Sequence, residues 1–265
     1  MKEFFGFGGY QRPVEGFMSW QHILFVSILV VIMVILAITF GKIYKNKDEK
    51  SKNKVLIIAA ILIDAFEIFK IIICCIRSND PLAWKYDLPL FLCSIQLITI
   101  PLAAFSKGRV KEAALDFVFI FGLLGALLGT YGAGNNYGTY PVLCFDYVVS
   151  GITHCISGFT SLYIIISGME SMKKKNLPIT FGILLFFCVV AYIVNIAIDY
   201  NYMFLMRADG TPYTILYDLL NGHKFFYPVS VVLLFILYIT IFYLVYYKIK
   251  NRKSNKRLAI SYESY

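Results

Sequence analysis

The chain has 265 residues, 59% of them hydrophobic and 15% charged, and a mean hydropathy of +0.70. That balance excludes a soluble globular protein, which needs far more polar residues to cover its surface. The net charge of +9 is no nucleic-acid signature either, since its Lys and Arg flank apolar runs and no nucleic-acid motif accompanies them.

A crossing helix needs about 20 mostly apolar residues. Runs of that kind occupy residues 20–40, 55–76, 88–105, 113–130, 147–169, 179–200 and 225–247. The expected fold is therefore all-α, a single polytopic bundle of seven transmembrane helices over residues 1–265, with a basic tail at 248–265. The first run is longer than a signal-peptide core and lacks a small-residue cleavage site behind it, so it reads as a retained span. In the third, Pro89 opens the helix, and Cys93 and Gln96 stand three residues apart on one face. The fourth and fifth carry Gly122, Gly125 and Gly129, then Gly151, Cys155, Gly158 and Ser161, at spacings that let helices approach closely.

Charge sets the expected orientation. One alternate set of loops (42–54, 107–111, 173–175, 248–257) holds 18 Lys and Arg and the other holds six. Because such residues collect on the cytoplasmic side, the amino terminus is placed outside and the carboxyl terminus inside a multi-pass cell membrane protein. The outer loops, rich in Gly, Asn, Tyr and Phe, mark the working face. Six cysteines show no metal-ligand spacing, and no nucleotide motif is present; no cofactor or metal is expected.

Ionisable groups at membrane depth are candidates for function. These are Asp64, Glu67 and Lys70 in the second span, His154 in the fifth and Asp199 at the end of the sixth, joined by the polar Cys93, Gln96 and Asn195. His22 and His223 read as interfacial and solvated. At about 1.5 Å per residue, Cys93, His154 and Asn195 each lie roughly 8–10 Å below the outer end of their spans, in one layer. A thiol next to an imidazole can lose its proton and attack a carbonyl, while the amides of Gln96 and Asn195 can donate to an oxyanion. Plainer readings stand beside this one. Cysteine is commonly a small apolar filler, and His154 can bond a carbonyl across a tight helix pair. Glu67 and Lys70 suit a structural i,i+3 ion pair, preferred here to a proton relay.

At "NYMFL" (201–205), Pro212, "LYDLL" (216–220) and "FFYP" (225–228) the chain resembles the bacterial YwaF-type integral membrane proteins. "DLPLFLC" (87–93) is similar to the Leu-Pro-Leu-His-Leu-Cys signature of the same family, with Phe91 where the signature has His. That family is similar to an animal transmembrane acyltransferase that remodels ether phospholipids. The resemblance implies that Cys93 is the acylated nucleophile and that His154, in a later span, is its base. It further implies membrane lipids as substrates and a bacterial plasma membrane as the site of action; the candidate substrate-binding residues are Gln96, Asn195, Asn201 and Tyr202. The rival reading is a membrane carrier or lipid- or peptide-binding protein without covalent catalysis, built on Asp64, Glu67, Lys70 and the aromatic loops.

Overall fold

The computed structural model describes residues 1–263, with side chains for all of these except 135, 136 and 253–263. Among the described residues the regular structure is helical: α1 (Trp20–Tyr44), α2 (Glu49–Ser78), α3 (Gln96–Phe105), α4 (Gly108–Thr130), the short α5 (Gly134–Tyr137), α6 (Phe145–Ser167), α7 (Leu177–Ile198), α8 (Thr214–Leu219) and α9 (Phe226–Glu263). It divides into two compact units, Met1–Met203 and Phe204–Tyr265. Most of the basic tail expected at 248–265 lies outside the residues whose side chains are described.

Local chemistry fixes the helix ends. Ser19 and Asp48 cap α1 and α2 by accepting the N–H groups of His22 (3.2 Å) and Ser51 (3.3 Å). Helix α6 stops at Gly168, whose φ of +73° only glycine adopts without strain, and Met169 closes the turn onto the carbonyl of Ile164 at 2.9 Å. Pro178 lies in the first turn of α7.

Among the described residues, five helices are long and apolar enough to cross a membrane: α1, α4, α6, α7 with its preceding turn, and α9. Leu24, Ile28, Val31, Ile32 and Ile35 of α1 are exposed, a face suited to lipid and not to water. The other two expected spans differ. Helix α2 covers 55–76 but carries Asp64, Glu67 and Lys70 through its second half. The third is not one helix: residues 88–95 form an irregular turn, and α3 begins at Gln96, not at Pro89. Cys93 and Gln96 thus do not share a helical face.

In the first unit, α6 packs against α1, α2, α3 and α4, and α4 is buried continuously from Ala113 to Gly122. Missing side chains make this possible: a Cβ at Gly122 would stand 2.8 Å from the carbonyl oxygen of Ser157. Ser161 Oγ then donates to the carbonyl of Phe119 across the seam at 2.8 Å, as small polar residues do between close helices. Asp116, buried in α4 at a depth our sequence reading passed over, accepts the N–H groups of Ser171 (3.1 Å) and Met172 (2.7 Å) and ties down the turn after α6.

Candidate active site

The turn 88–95 is held in place by side chains. Asn195, near the end of α7, accepts the N–H of Tyr202 at 2.6 Å and donates to its carbonyl at 3.0 Å. Tyr202, thus anchored and fully buried, donates its hydroxyl to the carbonyl of Lys85 at 2.7 Å and accepts the N–H of Leu88 at 3.1 Å. Burial pushes the pKa of that hydroxyl up, so it stays a donor. The Phe91 ring sits 5.1 Å from the Tyr202 ring, and Ser94 Oγ closes the turn, accepting from Phe91 N–H at 3.0 Å and donating to its carbonyl at 3.1 Å. The polar ends of Asn195 and Tyr202, counted among substrate-binding residues on the sequence, are spent on this brace. Asn201 is buried beside them in sequence.

Cys93 projects from the braced turn, half-buried and free of any disulfide. Its side chain and the His154 imidazole lie against successive turns of one face of α4: a Cβ added at Gly125 would meet the Cys93 Cβ, and one added at Gly129 would meet the imidazole edge. His154 stands in mid-α6, also half-buried, with Nδ1 2.7 Å from the carbonyl oxygen of Ser150 one turn before it. A carbonyl only accepts, so Nδ1 carries the hydrogen. In the neutral ring Nε2 is then the acceptor, and a main-chain carbonyl does the orienting that a third carboxylate does elsewhere. His22 shows the opposite tautomer: its Nδ1 accepts from Met18 N–H at 3.2 Å and its Nε2 donates to the carbonyl of Thr130 at 3.0 Å. It is fully buried, against the expectation of a solvated ring, because the Tyr137 and Phe17 rings pack on it at 4.1 and 5.5 Å.

Gln96, at the start of α3, is fully buried. Its Oε1 accepts from Thr99 Oγ1 at 3.1 Å, whereas its Nε2 has no partner among the described residues. A buried, unsatisfied amide costs about 1–3 kcal/mol and is a donor in waiting.

Charged groups gather nearby. Glu67 and Lys70 pair at 2.5 Å, as their spacing predicts, and Lys70 also meets Asp87 at 3.1 Å, a partner the sequence reading missed because it lies across the α2–turn boundary. Arg77 grips Asp146 with two nitrogens at 2.6 and 3.0 Å, and Tyr10 donates to the same carboxylate at 2.9 Å, fastening the amino-terminal segment. Lys70, Asp87, Tyr140, Asp146, Tyr147 and Ser150 line a cavity of about 210 Å³. It reaches Ser150, whose carbonyl holds His154. No group of three or more His, Cys, Asp or Glu among the described residues has metal-site geometry.

The TMEM164 family profile matches residues 17–246, so it takes in the braced turn, α6 and all the helices between. The chain belongs to the TMEM164 family. No curated protein and no solved structure matches it. The TMEM164 match spans both Cys93 and His154, and it agrees with the membrane character of five long apolar helices.

Proposed function

We propose that this TMEM164-family protein is a membrane-embedded acyltransferase that carries a fatty acyl group through a thioester on Cys93, with His154 as base. The support is one observation: a thiol on a braced turn and an imidazole whose tautomer leaves Nε2 free to take a proton lie against successive turns of one face of α4. In the first half-reaction His154 Nε2 accepts the Cys93 proton and the sulfur adds to the ester carbonyl of a lipid. The C–O bond breaks, and the departing alkoxide takes the proton from the imidazolium, leaving a lysolipid and the thioester. In the second, an acceptor hydroxyl gives its proton to Nε2 and its oxygen attacks the thioester carbonyl. The C–S bond breaks and the thiolate is reprotonated. The unsatisfied Nε2 of Gln96 is the donor proposed for the oxyanion in both steps.

The setting proposed with it is a bacterial plasma membrane crossed seven times, as in the YwaF-type proteins, with α2 and the turn-α3 segment as the second and third crossings. The amino terminus lies outside and the site opens to the outer leaflet. Phe91, which replaces the signature His, packs on Tyr202 here and leaves His154 as the base.

Incubating the purified protein with an alkyne-tagged acyl phospholipid tests this. A hydroxylamine-sensitive label should form on the wild type, disappear in Cys93→Ala and form about 10²-fold more slowly in His154→Ala. A fully labelled Cys93→Ala variant overturns the mechanism. The 210 Å³ cavity beside Lys70 and Asp87 favours a second reading, a non-covalent carrier; there, substrate would cross liposomes unchanged, indifferent to Cys93→Ala and stopped by Glu67→Gln.

A further inference from the structure

One face of α4 runs behind both members of the pair. A Cβ added at Gly125 would come within 3.2 Å of the Cys93 Cβ. Four residues later on the same face, a Cβ at Gly129 would overlap Cδ2 and Nε2 of the His154 ring. Neither glycine has a positive φ, so what each provides is space and not backbone freedom. Gly122 shares the helix but not the role: its missing Cβ makes room for the Ser157 carbonyl and the Ser161 Cβ, at 2.8 and 2.9 Å, contacts of helix packing alone.

We propose that Gly129, assisted by Gly125, is a positioning residue that sets the approach of His154 Nε2 to the Cys93 sulfur. The bare backbone at 129 lets the reactive edge of the imidazole lie against α4, one turn from where Gly125 receives the nucleophile. Among the described residues the ring is held at Nδ1 by the carbonyl and Oγ of Ser150, at 2.7 and 3.4 Å, and at Nε2 by this seat. Any side chain at 129 therefore turns the ring about its Nδ1 hydrogen bond and carries Nε2 away from the thiol. A misplacement of about 1 Å in such a pair costs roughly 10²-fold in rate. This inference rests on the reading of Cys93 and His154 as a working pair, and it is tested by a readout that needs no acyl transfer.

In the full-length protein in lipid nanodiscs, the alkylation rate of Cys93 by iodoacetamide is followed against pH by peptide mass spectrometry. The Gly129→Ala profile should coincide with that of His154→Ala, the Gly125→Ala profile should lie between it and wild type, and Gly122→Ala should keep the wild-type profile. Acyl transfer by Gly129→Ala should fall about 10²-fold. A wild-type profile for Gly129→Ala, or an equal change in Gly122→Ala, overturns the proposal. Should Gly129→Ala fold poorly, the double variant Gly129→Ala/His154→Ala decides: removing the ring should restore the thermal midpoint of His154→Ala alone. If the double variant is as unstable as Gly129→Ala, the ring is not what Gly129 accommodates and the proposal fails. Absence of acyl transfer in the wild type, with the alkylation profiles ordered as described, would sink the acyltransferase reading while leaving this one standing.

Discussion

The two halves of the candidate site are held by different means. Cys93 rides on an irregular turn whose shape depends on side chains reaching in from elsewhere: Asn195 on the Tyr202 backbone, and the Tyr202 hydroxyl on Lys85 and Leu88. His154 rides on a continuous helix, and its orienting partner is the carbonyl of Ser150, part of the main chain. A nucleophile placed by long-range side-chain bonds is exposed to single substitutions. A base oriented by its own main chain is spared the loss of a side-chain partner and is exposed only to bulk added against its ring, as at Gly129.

Three substitutions probe that contrast, in falling order of effect. Asn195→Leu should be the most damaging, because it strands the buried N–H and carbonyl of Tyr202; it is expected to lower stability by about 2–4 kcal/mol. It should also lower acyl labelling of Cys93 by roughly 10²-fold through displacement of the turn, read by thermal unfolding and by the labelling rate. Tyr202→Phe keeps the ring against Phe91 and loses only the hydroxyl bonds, so a loss of about 1–2 kcal/mol is expected, with a correspondingly smaller fall in labelling. Ser150→Ala should change stability by no more than about 0.5 kcal/mol and labelling by less than about twofold, since the carbonyl that orients His154 remains. If Ser150→Ala is as harmful as Asn195→Leu, the contrast between the two halves is false.

The same contrast explains what the sequence made legible. The helices that run on their own periodicity were readable: residues 20–40, 113–130, 147–169 and 179–200 lie within or nearly within α1, α4, α6 and α7. Counting the rise per residue put a thiol and an imidazole at one expected depth; in the folded chain both lie against one face of α4. The Glu67–Lys70 pair followed from i,i+3 spacing alone. The rest was set by contacts between residues far apart in sequence. The Leu and Ile of 88–95 have the composition of a helix, yet the Tyr202 clamp, more than 100 residues away, holds them as a turn and delays α3 to Gln96. Asn195 is an amide at the right level, but only its partner Tyr202 reveals it as a brace. Asp87 stood in the sequence only as the start of the signature, and its pairing with Lys70 appears in the fold; His22 read as interfacial, and Tyr137 covers it.

Asp116 gives the molecule a history as well as a shape. The amide hydrogens that its carboxylate receives come from a turn 55 and 56 residues further along the chain, so the fourth helix is synthesised well before those donors exist. Until the hairpin following α6 emerges and folds back, that helix carries an acid whose native cap is incomplete, a cost at membrane depth. Those two bonds can form only once translation has passed Met172, so the last tie between α4 and the turn after α6 is made after the helix that bears the imidazole.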